Sequence, residues 1–282
     1  MPIQIITDTS CDLPDKELKQ YGIEMIPLKV TFGNGDTFLD RIELTPDIFV
    51  RKMAASKTLP KTSTPDPQTF IDYFRKGLEQ VGQVIFISLS SGLSGTCQTA
   101  LLASKMLNDE RIRIFDAYTA SLGVGIFAIK ASLMTREGFS LDTIIENLSA
   151  MRTETETIFT LDTLENVVKG GRLSRFEGFA GNLLNIKPIL RNDSVTGTPV
   201  ITEKVRSRRK AIDRMVELLG ELTGTPVRER LIGISHVNCE DVAKRLCQLI
   251  TEHYNPIKPI IIAPMSATIG TYAGEGGLMI NC

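Results

Sequence analysis

The sequence predicts an α/β protein with a mostly parallel sheet, arranged in two modest domains. Three observations carry this. The 282 residues come close to two domains at about 150 residues each. Through the first half, short apolar runs alternate with helical patterns, the signature of βαβ units. After about residue 153 the character of these runs changes, with no internal repeat and no low-complexity linker. The expected division is therefore 1–153 and 154–282.

Ile3–Thr7 reads as a short apolar strand, followed by turn and capping residues at Asp8–Asp12. Pro14 opens a helix that Gly22 closes as a C-terminal cap. Met25–Val30 reads as the second strand. Thr45-Pro46-Asp47 starts a helix with a hydroxyl cap, a proline at the first position and an acid in the first turn. Beyond Asp66, the residues Phe70, Tyr73, Phe74 and Leu78 fall on one helical face. Val84–Leu89 is an unbroken apolar run, as expected of a strand covered on both sides. Thr96–Leu107 is helical, Ile112–Phe115 is a strand, and two longer helices run to about Arg152. Thr157–Leu161 is a strand, and Leu161–Lys169 is a short helix ended by Gly170-Gly171. Ile186–Leu190 and Pro199–Glu203 flank Asn192-Asp193-Ser194 as in a hairpin. A helix from Ser207, a strand at Leu231–Ser235, a helix from Glu240 and a strand at Pro259–Ala263 complete the pattern.

Lys+Arg is 32 and Asp+Glu is 33, a formal charge of −1. That balance argues against a dedicated nucleic-acid binder and against a polybasic membrane-surface protein. No segment approaches the roughly 18 apolar residues of a spanning helix, and MPIQIITDTS lacks the marks of a signal peptide. The cysteines, 5 in number, are scattered without a CxxC. Such usage suits a reducing, cytoplasmic setting and offers neither a disulfide framework nor a zinc site.

The segment most informative about chemistry is Val84–Thr96, where a buried strand leads through SSGLSGT into a helix. A small-residue loop feeding a helix from the end of a parallel strand gathers backbone N–H groups. The helix dipole adds about half a positive charge there. Ser94 and Ser91 would be extra donors, making an anion site, while a hydroxyl-capped helix start explains the same residues equally well. There is no GxxxxGK[ST] for a nucleotide, and without Lys or Arg the loop suits a carboxylate or a single phosphate better than a polyphosphate. Gly92-Leu93-Ser94-Gly95-Thr96 also approaches the nucleophile elbow G-x-S-x-G. That alternative, a serine-dependent lipid or ester hydrolase using Ser94, has Thr96 in place of the second glycine. His236 and His253 are its only histidines.

Other groups have plainer readings. Lys61-Thr62-Ser63-Thr64-Pro65 reads as a loop before an Asp66 cap, or as a second arm of hydroxyl donors. Asp8, Ser10 and Asp12 are explained by capping, without a metal. Arg172, after Gly170-Gly171, is either a buried structural partner or a head-group contact. Lys204, Arg206, Arg208, Arg209, Lys210 and Arg214 form a basic cluster, ordinarily a solvated face. Docking of an acidic partner protein is its second reading, and nucleic acid its third.

Six ordered segments then resemble one family: ITDTSCDLP at 6–14, KTSTP at 61–65, SLSSGLSGT at 88–96, DTLENVVKGGRLS at 162–174, NIKPIL at 185–190 and IGTYAGEGG at 269–277. The chain is similar over essentially its whole length to the DegV proteins, two-domain bacterial fatty-acid-binding proteins. The resemblance implies a Rossmann-like α/β domain and a smaller α+β domain, with a long-chain fatty acid between them and no other cofactor. It places the carboxylate on Thr62 and Ser94, and the ligand set becomes Thr62, Ser94, Gly95 and Tyr272. It further implies a non-catalytic carrier that presents its cargo to a separate ATP-dependent fatty acid kinase, making an acyl phosphate for phospholipid synthesis. Arg172 and Arg206 would be the docking residues. Nucleic acid, metal and stable membrane insertion have no part in it. Tyr272 stands where the family often has histidine, so the head group meets a phenol that stays uncharged at neutral pH.

Overall fold

In the computed structural model, which describes residues 2–173 and 186–282, the apolar run at Val84 becomes β6 (Gln83–Ser88). It lies between β1 (Ile3–Asp8) and β7 (Ile112–Asp116), and β2 (Ile23–Ile26) borders β1, with every pairing parallel. Successive side chains of a strand point to opposite faces, so β6 feeds two cores. Ile85 and Ile87 pack with Phe127 and Ala128 of α5 (Leu122–Arg136). Val84 and Phe86 pack with Phe70 and Phe74 of α3 (Pro67–Val81) and with Ala100 and Ala103 of α4 (Thr96–Leu107). Helices on both faces of a parallel sheet account for the unbroken apolar run.

Most expected helix boundaries are found, although the helix expected from Leu161 starts only at Glu165. α1 (Asp15–Tyr21) ends on Gly22 at φ +65°, a conformation glycine adopts without strain. Thr45 Oγ1 accepts from Ile48 N–H at the start of α2 (Pro46–Ala55), and Asp66 Oδ1 accepts from Thr69 N–H at the start of α3. α6 (Leu141–Arg152) closes the first half, capped by Ser140.

The expected strand Met25–Val30 is instead two strands. Pro27 has no N–H to donate, and the Leu28 N–H turns to Thr9 Oγ1 (3.1 Å). Beyond it, β3 (Lys29–Thr31) joins a separate antiparallel sheet between β4 (Thr37–Leu39) and β5 (Lys61–Ser63). The hydroxyl run at residue 61 is thus an edge strand, not a loop.

After β8 (Thr157–Thr160) and α7 (Glu165–Lys169), the predicted hairpin forms from β9 (Ile186–Asn192) and β10 (Pro199–Arg206). Next come α8 (Arg208–Leu222), β11 (Gly233–His236), α9 (Glu240–Tyr254) and β12 (Ile261–Pro264). Two elements follow that the sequence pattern did not reveal, α10 (Ala267–Ala273) and β13 (Leu278–Asn281). Strand order in this second sheet is β10-β9-β8-β13-β11-β12, parallel only between β11 and β12. Ile158, Ile234 and Ile280 face α8 and α9, while Phe159, Leu190 and Met279 face the other way, toward α7 and α10. Among the described residues, no helix is long and apolar enough to cross a membrane.

Candidate functional site

A cavity of about 280 Å³ opens between the two larger sheets and the edge of the small one. Apolar groups make up most of its wall, including Leu28, Leu89, Leu161, Val167, Ile269 and Met279. Polar groups on it include Thr62, Ser94, Gly95, Tyr272 and Arg172. Thr62, Ser94, Gly95 and Tyr272, named from three distant segments, are therefore brought to one place.

The loop after β6 supplies Ser94 and Gly95, though not as the nest of free N–H groups its composition suggests. Ser91 N–H is taken by the Asp116 carboxylate (3.2 Å), Gly92 N–H by Ser90 Oγ (3.1 Å), and the Leu93 and Ser94 N–H groups by Ser90 O. Thr96 N–H points to Ser94 Oγ (3.3 Å). Across residues 91–96 the Gly95 N–H is left as the backbone donor without an acceptor among the described residues. Ser91, whose N–H holds the loop to Asp116, is not part of the described cavity wall.

Hydroxyls do more than the backbone here. Ser94 Oγ lies 2.9 Å from Thr96 Oγ1, itself 3.1 Å from Thr64 Oγ1. When Thr64 donates to Thr96 and Thr96 to Ser94, the Ser94 proton faces whatever occupies the cavity, since each hydroxyl has one proton and two lone pairs. Also on the wall, Thr62 Oγ1 and Tyr272 Oη are 2.7 Å apart. The Arg172 guanidinium lies 4.3 Å above the Tyr272 ring, with Nη1 on Gly170 O (2.6 Å) and Nε on Leu93 O (3.3 Å). Gly170 is needed here, because a Cβ on it would stand 2.4 Å from that ring. Arg206 is exposed on the last residue of β10 and lines no part of the cavity.

Short α10 carries Tyr272, and two buried acids fix its first turn. Asp40 accepts from the N–H groups of Ala267 (3.0 Å) and Thr268 (2.9 Å) and from Thr268 Oγ1 (2.5 Å). Asp12, at φ +53°, accepts from Ser266 N–H (2.8 Å) and from Ser121 Oγ (2.5 Å). Sequence reading took Asp12 as a simple cap and overlooked Asp40, whose partners lie more than 200 positions away. Among the described residues no group of His, Cys, Asp and Glu is arranged to hold a metal ion.

Burial pushes the Asp12 carboxyl up to about 7 and the Asp8 carboxyl to about 6. The folded chain therefore holds protons between about pH 4 and 7 that the unfolded chain has released. Stability from these groups is present at low pH and lost as pH rises through about 7. Asp12→Asn retains the shape and tolerates the left-handed backbone. It is expected to flatten the gain in stability between pH 7.5 and 5, by up to about 1.4 kcal/mol per pH unit for one proton. Urea midpoints at several pH values measure this, and an unchanged slope would contradict it.

The hydrolase arrangement finds no histidine on the described wall of the cavity. His236 is buried in β11, its Nδ1 accepting from Cys239 N–H (3.4 Å), with burial lowering its pKa. His253 is exposed near the end of α9 beside Tyr254. Neither lines the cavity. Much of the basic cluster is internally neutralised: Arg214 binds Glu203, Glu217 and Glu221, and Arg208 binds Asp162.

Fold and site together define an α/β protein with a mainly apolar cavity between its sheets, its wall carrying several hydroxyls. The chain belongs to the DegV family, described as "Uncharacterised protein, DegV family", whose match covers residues 2–281. Protein DegV of Bacillus subtilis is 35% identical over 283 residues, 99% of this chain and 98% of that protein. A DegV family protein from Thermus thermophilus, solved in a study of its fatty acid binding, superimposes with a TM-score of 0.91 at 28% identity, over 100% of this chain and 99% of the other. The Streptococcus pneumoniae Fatty Acid Kinase (Fak) B3 protein, loaded with linoleic acid, superimposes with a TM-score of 0.85 at 25% identity, over 100% and 99% of the two chains.

Proposed function

We propose that this protein binds one long-chain fatty acid in the cavity, its carboxylate on Thr62 and Ser94, and presents it to a separate kinase. The kinase transfers the terminal phosphoryl group of ATP to a carboxylate oxygen, releasing ADP and leaving an acyl phosphate for lipid synthesis. The observation that carries this reading is a mainly apolar cavity whose polar lining includes Thr62, Ser94, Gly95 and Tyr272. The fatty acids reported with the related structures agree with it. Tail burial supplies most of the affinity, at about 0.8 kcal/mol per CH₂. Head-group hydrogen bonds, at about 1.5–3 kcal/mol each toward a charge, set orientation and discriminate against uncharged lipids.

On this reading the chain itself is non-catalytic, and the phosphoryl transfer belongs to the separate kinase. Its setting is the cytoplasm, where the kinase's ATP is available. Arg172 and Arg206 serve as docking candidates. The domain division near residue 153 belongs to the same reading, with the second domain covering the acyl chain. The strands of the four-stranded sheet end at Asp116, and those of the six-stranded sheet begin at Thr157.

Mass spectrometry of the purified protein, native and then denatured, tests the proposal. The expected result is an excess of one fatty acid mass in the native protein that disappears on denaturation. A native mass without that excess, unchanged after incubation with a panel of fatty acids, would overturn it. A mass increment persisting on denaturation and mapped to Ser94 would favour the hydrolase alternative.

A further inference from the structure

Thr62, Arg172 and Tyr272 line a second cavity as well, of about 330 Å³, which reaches the surface at the exposed Lys61 and Lys169. The Thr62–Tyr272 hydroxyl pair and the Arg172 guanidinium stacked on the tyrosine thus form a thin partition between an apolar chamber and an outer cleft. The two chambers differ in character. The charged residues described on the outer cleft are Lys61, Lys169 and Arg172, with no acid among them. We propose that this outer cleft is a phosphoryl site: it takes the phosphate of a long-chain acyl phosphate whose chain fills the inner cavity.

The inference rests on the carrier reading above. A phosphate added to a carboxylate oxygen lies one atom beyond it, and the group carries about −1.5 to −2 near pH 7. The apolar chamber cannot accept that charge without a large desolvation cost. The outer cleft begins at the same Thr62 and Tyr272 hydroxyls and offers cations. Lys61 and Lys169 act there as point charges, and Arg172 spans the partition with its planar fork. Lys169 pairs with Glu165 one turn away at 2.5 Å; such an exposed pair is weakly held and yields to a phosphate. Fatty acid and acyl phosphate would then share every inner contact and differ only in the outer ones.

The test uses a long-chain β-ketophosphonate, in which CH₂ replaces the anhydride oxygen, against the fatty acid of equal chain length. Calorimetry compares the full-length protein with Lys61→Gln, Lys169→Gln and the double variant. The double variant is expected to weaken ketophosphonate binding by about ten-fold or more, most strongly at low salt, with fatty acid affinity held within about two-fold. Equal effects on both ligands, or none on the ketophosphonate, would overturn the assignment. So would inorganic phosphate binding the fatty-acid-loaded protein as tightly as the ketophosphonate binds the empty one, since the cleft would then serve free phosphate. Failure of the unaltered protein to bind fatty acid at all would instead remove the carrier reading, and this inference with it.

Discussion

Phe86→Ala is expected to remove about 3–5 kcal/mol of folding stability. Phe86 is fully buried in the middle of β6, and its ring meets Phe70 edge-on at 5.4 Å and Phe74 at 6.0 Å between centroids. Each such pair adds about 0.5–1.5 kcal/mol beyond the area it buries. The void left by truncation cannot readily close. β6 is held on both edges by β1 and β7, and α3 and α4 pack against each other across the same face. Urea unfolding should show a lower midpoint with an unchanged slope. Val195→Ala, on a residue 77% exposed, should stay within about 0.5 kcal/mol. A loss below about 1 kcal/mol at Phe86 would mean that the aromatic cluster is loosely packed.

The second large effect concerns the ligand. The double variant Thr62→Val/Ser94→Ala is expected to lower fatty acid affinity on the order of 100-fold or more. Two hydrogen bonds to a carboxylate at about 1.5–3 kcal/mol each are removed, and the charge is left in a mainly apolar cavity. Fatty alcohol of the same length, having no charge to satisfy, should lose far less. Unfolding midpoints should move little, because Ser94 and Thr62 are both part-buried and both bond to other hydroxyls that can take up water. Isothermal titration with acid and alcohol separates the cases. Equal losses for both ligands would place the carboxylate elsewhere.

Local signals made much of this molecule legible. Val84–Leu89 was clear because a doubly covered strand is apolar throughout, and Thr96–Leu107 because it follows a small-residue turn. Thr45, Asp66 and Ser207, each at an expected helix start, do accept the first-turn N–H groups as caps. Pro27 was the warning that Met25–Val30 is not one strand, since the residue cannot donate within a ladder. Lys61–Ser63 reads as polar turn sequence because an edge strand of three residues has little to bury. The short α10 did have a signal, Ser266 as cap and Gly274 at its end, but one helical turn or two of small residues is weak evidence without its tertiary partners. Those partners are Asp12 and Asp40, and no spacing in the chain connects them to Ser266–Thr268.

The candidate site was legible in part. Ser94 and the helix beginning at Thr96 were apparent from composition, and Thr62 was visible as one hydroxyl in a run of them. Joining the two required the family resemblance, because the pairing of β5 with β3 and the approach of α10 are long-range events. Thr96 and Thr64, which complete the hydroxyl chain to Ser94, looked like capping and turn residues. The expectation of several free backbone donors failed for a local reason. Ser90 O, Ser90 Oγ and Asp116 consume them to hold the loop's shape.

β13 has a consequence for the order of events on the ribosome. It is the strand that joins β8 to β11, yet it follows every other strand of that sheet in the chain. Translation proceeds from the N-terminus, and early segments fold first, so the parallel sheet can form while this one remains in two unlinked pieces. Met279 of β13 and Tyr272 just before it also belong to the cavity wall. A nascent chain therefore offers no sealed chamber for cargo, and the capacity to accept one arrives abruptly as residues 272–281 emerge.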